Sequence, residues 1–155
     1  MDTLYPQLLM LGKVIFSSIL AGVVGYEREV ADKPAGLRTH MLVGATATFL
    51  VTLALRAISL FKDHPSLRFD PSRIFEAIVL GVSFLGAGTI LKNMRRGEET
   101  VEGLTTSASI LSVAAVGIAV GFDAYFLAAG VTLWNLFVNW GLNLMVKYFE
   151  RKSES

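Results

Sequence analysis

Charged residues in this chain are confined to blocks between long apolar stretches, and that segregation limits the fold more than any other feature. A water-soluble helix carries a polar stripe along its whole length. A helix rising 1.5 Å per residue needs roughly 20 residues to cross about 30 Å of hydrocarbon. By that measure the candidate spans are residues 8–24, 41–60, 74–91, 104–121 and 124–146. Hydrophobic residues make up 53% of the 155 residues and charged residues only 17%, which argues against an ordinary soluble domain. Lys13, Arg56 and Glu76 fall inside spans, near enough to an end to reach the interface. The third and fourth spans are short and rich in small residues, so they are the weakest as independent crossings. The expected fold is all-α: a single polytopic membrane domain over residues 1–155 with about five transmembrane helices.

Charge placement predicts the orientation. Arg28, Lys33, Arg38, Lys92, Arg95, Arg96, Lys147, Arg151 and Lys152 would share one side, against Lys13, Arg56, Lys62, Arg68 and Arg73 on the other. Positive residues favour the cytoplasmic side, so the N-terminus is expected outside and the C-terminus inside. The chain opens Met1-Asp2-Thr3-Leu4-Tyr5 without the basic start of a secretory signal, so the first span reads as a retained helix. There is no Cys, which excludes disulfides and thiolate metal sites, and a formal charge of +1 gives no reason to expect a nucleic-acid partner.

The polar cassette from Gly25 to His40 stands out against this apolar background. Pro34 disfavours helix at Lys33, and Gly36 supplies a turn before Leu37, so the cassette is expected to re-enter the membrane in a fixed shape. Further along, Asp70-Pro71-Ser72-Arg73 reads as a helix start, with the Asp70 carboxylate free to accept N–H groups. Gly81, Gly86 and Gly88 allow either close helix packing or a local bend in the third span, and Gly117 and Gly121 have packing spacing in the fourth. Thr105, Thr106, Ser107 and Ser109 bring hydroxyls to the start of that span.

The segments Gly25-Tyr26-Glu27-Arg28-Glu29 and Lys33-Pro34-Ala35-Gly36-Leu37-Arg38-Thr39-His40 resemble the signature of the MgtC/SapB family of bacterial inner-membrane proteins. So, in order, do Asp70-Pro71-Ser72-Arg73, Phe84-Leu85-Gly86-Ala87-Gly88-Thr89-Ile90 and Val101-Glu102-Gly103-Leu104-Thr105-Thr106-Ser107-Ala108-Ser109-Ile110. The resemblance implies a five-helix membrane domain with its N-terminus outside. It also implies adaptation to magnesium limitation, acid stress or life inside host cells, and restraint of the proton-driven ATP synthase as one route. Many relatives carry a soluble domain after the fifth span, which is not expected here. Ala77 and Leu111 depart from the family pattern, which often has Gln and Trp there.

For the cassette, the functional expectation is a cytoplasmic-face interaction network of Glu27, Arg28, Glu29, Lys33, Arg38 and His40; the plainer one is a positive-inside anchor. Glu29 and Lys33 have i,i+4 spacing should the helix continue that far, and Arg28 and Arg38 can bind carboxylates or lipid phosphates. Asp70, Arg73 and Glu76 can form an outer-side ion-pair network or the entry to a cavity. Asn135, Asn139 and Asn143 recur every fourth residue on the fifth span, and amides in lipid need partners, so this stripe is expected against protein. His40 and His64 have no metal-ligand spacing, and no nucleophile-base pair or phosphate-loop motif is present. Hence no catalytic residue, metal or cofactor is expected. Two functions stay open: a non-enzymatic regulator that self-associates, contacts lipid and binds an inner-membrane complex such as ATP synthase, or a small transporter or channel for Mg²⁺, protons or a small anion.

Overall fold

The structure, a computed structural model, describes residues 4–61, 70–95 and 98–141, with strand residues 92–95 and 98–100 described by their backbone alone. The described helices are α1 (Leu4–Val30), α2 (Leu37–Phe61), α3 (Ser72–Gly88), α4 (Leu104–Gly121) and α5 (Tyr125–Leu136), which runs on as a π-helical segment, Phe137–Gly141. α1, α2 and α4 are long and apolar enough to cross a membrane. With 17 and 12 residues, α3 and α5 are shorter than that measure.

Two features depart from the expected architecture. The charged stretch after α3 is a β-hairpin, β1 (Leu91–Arg95) antiparallel to β2 (Glu98–Glu102), in register from Leu91 opposite Glu102 to Arg95 opposite Glu98. Its residues lack the apolar alternation by which a half-buried strand is recognised. In addition α4, which looked among the weakest crossings, is the centre of the bundle and packs against α1, α2, α3 and α5. A helix apolar all round and short of polar stripe suits a position surrounded by protein.

Small residues let the three longest helices close on one another. A side chain at Gly44 would meet Ala21 of α1 at 2.7 Å, and one at Gly117 would run into the Gly44 carbonyl. Ser17 lies within hydrogen-bonding distance of Gly44 O at 3.3 Å, and the Thr48 hydroxyl donates to Gly117 O at 2.7 Å. Val24, Val51, Ile110 and Val113 fill the space around these contacts. Apolar burial separates helix pairs poorly in lipid, so contact shape and interhelical hydrogen bonds choose the neighbours. Large apolar side chains such as Phe84 and Phe126 point outward, with Phe126 94% exposed, and present a surface suited to lipid.

α1 and α4 end in the same way. Lys33 N donates to Arg28 O at 3.0 Å and Asp32 N to Glu29 O at 3.1 Å; Ala124 N donates to Ala119 O at 2.9 Å and Asp123 N to Val120 O at 3.0 Å. Both patterns are Schellman closures, in which a left-handed residue turns the chain so that the last carbonyls find donors. The left-handed residues are Asp32 (φ 54) and Asp123 (φ 63).

Candidate functional site

The helix bounds bring the end of α1, the start of α2 and the start of α4 to one end of the bundle, with the hairpin beside them. Here the cassette is folded largely onto itself. Arg28 is 2% exposed and makes a bidentate pair, through Nε and Nη2, with the carboxylate of its neighbour Glu27. Such a charge is tolerable in a buried place because its partner is fixed to it. Since α1 closes at Val30, Glu29 does not continue toward Lys33; its Oε2 instead accepts the N–H of Leu37 at 2.7 Å and so caps the start of α2. Gly36 leaves room for this, because a side chain there would meet Glu29 Oε2 at 2.6 Å.

His40 is buried and ties the turn to α4. Its Nδ1 lies 2.8 Å from Gly36 O and its Nε2 2.9 Å from Ser109 Oγ. A carbonyl can only accept, so Nδ1 carries a proton. Gly25 is the facing residue on α1: a side chain there would meet His40 Cβ at 2.7 Å and Leu37 Cα at 2.9 Å. Lys33 and Arg38 are exposed. The six cassette residues thus divide into a fastening set (Glu27, Arg28, Glu29, His40) and an outward-facing cationic set (Lys33, Arg38).

Beside this turn lies a cavity of about 480 Å³ whose wall includes Arg28, Lys33, Gly103, Thr105, Thr106 and Asn139. Gly103 joins β2 to α4 at φ 93, and a side chain there would run into Thr89 O. Ser107 packs toward Gly86 of α3, Ser109 holds His40, and Asn135 Nδ2 donates to Ser112 Oγ at 2.8 Å and to Val131 O at 2.9 Å. Asn139 is buried; Asn143 lies outside the described residues. Of the other glycines, Gly121 packs on Val51, while Gly81 and Gly88 have nothing within contact distance among the described residues and lie in a continuous α3.

The opposite end is built differently. A cavity of about 870 Å³ has mostly apolar walls from α1 and α2, with Lys13, Arg56 and Asp123 among its polar members. Lys13 Nζ bonds Asp123 Oδ2 at 2.7 Å, and the Tyr125 hydroxyl donates to Asp123 Oδ1 at 2.7 Å. The Lys13 bond, then the Tyr125 bond, hold the Asp123 carboxyl below its ordinary range. Asp70 Oδ1 accepts both the hydroxyl (2.7 Å) and the N–H (3.0 Å) of Ser72, which lowers its pKa in the same way. Asp70 and Arg73 line a shallow hollow beside α2, whereas Arg73 and Glu76 are exposed and form no ion pair among the described residues. Sequence reasoning missed Lys13 with Asp123, and Ser112 with Asn135; neither pair has a diagnostic spacing, because each joins distant helices. Among the described residues, no group of three or more His, Asp or Glu is placed to hold a metal ion.

The MgtC family matches residues 14–148. The chain is 37% identical over 128 residues to YhiD of Escherichia coli K12, a protein provisionally named a magnesium transporter, covering 81% of this chain and 57% of that one. Protein SapB of Bacillus subtilis strain 168 is 34% identical over 120 residues, covering 77% of this chain and 50% of its own length. Protein MgtC of Brucella abortus strain 2308 is 36% identical over 133 residues, covering 85% and 50%. The chain therefore spans little more than half the length of these relatives, at 50% to 57%. No solved structure matches it. With a family match across most of its length and apolar helices to carry it through a bilayer, the protein belongs to the MgtC/SapB family of multi-pass inner-membrane proteins.

Proposed function

We propose that this protein is a non-enzymatic membrane regulator that adjusts ion or proton economy under magnesium limitation or acid stress by binding another inner-membrane complex, with ATP synthase as the candidate. In this reading five helices cross the bilayer, with the N-terminus outside and the C-terminus inside, which puts the cassette on the cytoplasmic face. The observation that carries it is the division of that cassette. Glu27, Arg28, Glu29 and His40 are spent on internal bonds that fix the turn, and Lys33 and Arg38 are held outward on a rigid base. A preorganised charged surface suits partner recognition, because less ordering is needed on binding. The tight Ala21–Gly44–Gly117 contact also favours a regulator over a conduit, since it occupies the middle of the bundle between the two end cavities.

A transporter or channel is the second reading, favoured by the name of the Escherichia coli relative and by cavities at both ends. Two measurements separate them. Purified protein in sealed vesicles is expected to give no protein-dependent Mg²⁺, H⁺ or anion flux; flux abolished by Gly117→Leu would establish the conduit instead. A photo-crosslinker at Arg38 is expected to capture a subunit of another membrane complex, and recovery of this chain alone would remove the support for a partner.

A further inference from the structure

We infer that the cavity at the start of α4 is a binding site for a phosphate-bearing anion, either free phosphate or the headgroup of an anionic lipid. The inference shares Lys33 with the regulator reading but does not rest on it, because a small anion can bind this cavity whether or not a partner contacts Arg38.

Charge is the first ground. Arg28 and Lys33 both line the cavity, and among the described residues no carboxylate does. Glu27 engages the Nε and Nη2 edge of Arg28 and fixes the guanidinium in place, so Lys33 is the cation without a carboxylate partner among the described residues. A planar guanidinium beside a mobile ammonium suits the several oxygens of a phosphate group.

The second ground is the start of α4. The chain enters this 18-residue helix through Gly103, which has no side-chain oxygen, and among the described residues no side-chain bond caps the helix. The first N–H groups of a helix have no intrahelical acceptor, and they carry the positive end of its dipole. Leu104, Thr105 and Thr106, which supply these groups, also line the cavity. An anion there would take the place of the missing cap.

Thr106 supplies an independent observation that points to a ligand. The residue is 1% exposed, yet its hydroxyl has no hydrogen-bond partner among the described residues. Buried hydroxyls are almost always bonded. No fully sealed polar atom is left unpaired in the described structure, so this hydroxyl keeps access to the cavity it lines. It is an unused donor, nine-tenths and more buried, in a polar wall with two cations. The volume of about 480 Å³ holds a phosphate group with several waters. In the topology proposed above, its place beside the ends of the helices is also the level of the lipid headgroups.

The test uses the full chain in nanodiscs. In discs of phosphatidylcholine alone, inorganic phosphate is titrated and followed by calorimetry; in parallel discs containing phosphatidylglycerol, retained lipid is counted by native mass spectrometry. Saturable phosphate binding identifies a free anion, and retention of phosphatidylglycerol without phosphate binding identifies a headgroup. In whichever arm binds, Lys33→Gln is expected to weaken binding about tenfold, and Thr106→Val several-fold. Arg28 is left intact, because its loss would unpair Glu27. Thermal unfolding of each variant in the same discs checks that the bundle is preserved, and a rise in the unfolding temperature of the unaltered protein with added phosphate gives a readout without substitution. Absence of saturable binding in both arms overturns the inference. So does an equal loss on Arg73→Gln, a cation at the other end of the bundle, since that would mean general attraction to positive charge.

Discussion

The two ends of the bundle are closed by the same backbone device and used for different ends. Asp32 and Asp123 both sit in the left-handed position of a Schellman turn. Around Asp32 the neighbouring charges have been drawn inward: Arg28 and Glu27 pair, Glu29 caps α2, and the result is a polar cavity. Around Asp123 the charges stay at the rim, with Lys13 and Tyr125 holding the carboxylate beside a mostly apolar hollow. The contrast teaches that a charged residue at a helix end has no fixed meaning. What it does depends on which group of the next helix reaches it: Glu29 meets the Leu37 N–H and caps α2, whereas Asp123 meets the Tyr125 hydroxyl of α5 and Lys13 of α1.

The comparison is broken most severely by Gly103→Ala. The left-handed φ costs about 1–3 kcal/mol for a residue with a side chain, and the collision with Thr89 O adds about 1–3 kcal/mol of overpacking. The variant is expected to lower unfolding resistance in mixed detergent micelles by about 3–4 kcal/mol in all. Arg28→Ala comes next. It strips a partly buried Glu27 of its base and is expected to destabilise by about 3 kcal/mol. Glu27→Gln in the same chain should restore a good part of that loss, whereas a purely steric role for Arg28 would give no recovery.

The rim end answers more weakly. Asp123→Asn keeps the left-handed turn but loses the bond from Lys13, and is expected to cost less than about 1 kcal/mol because the pair is exposed. Acid should mimic it. A carboxyl held below its unfolded pKa contributes stability that is fully present above the unfolded value and is lost as pH falls through the folded one. The Lys13 contribution should therefore fade below about pH 4, and a titration in which Asp123→Asn shows the same acid loss as the unaltered chain would refute the assignment. Smallest of all is Asp32→Gly, which leaves the Schellman turn intact and is expected to change stability by about 0.5 kcal/mol or less; a large loss would show that the Asp32 carboxylate has a partner of its own.

Much of this was legible in advance because it rests on local rules. Apolar run length located the helices, Pro34 and Gly36 forecast a shaped turn, and the family signature named the residues of the cassette. The roles inside the cassette were not legible. Glu29 has the spacing to pair with Lys33, but the chain leaves the helix first, and Leu37 N–H becomes its partner. The small residues of α3 look equally suited to packing, yet among the described residues Gly86 packs closely on Ser107 while Gly81 and Gly88 have no such contact. Spacing along one helix fixes a face; it does not say which face meets protein.

By itself, the sequence determined that the protein is a bundle of apolar helices with its polar residues gathered at the ends, since an unpaired charge or backbone group in hydrocarbon is too costly to leave to chance. Only the tertiary structure decided that α4 lies at the centre, that Arg28 and His40 are fastened inside, and that Thr105, Thr106 and Asn139 share a cavity with Lys33. These outcomes depend on how closely Gly25, Gly44 and Gly117 let the helices approach, and such contact geometry between distant segments has no signature along the chain.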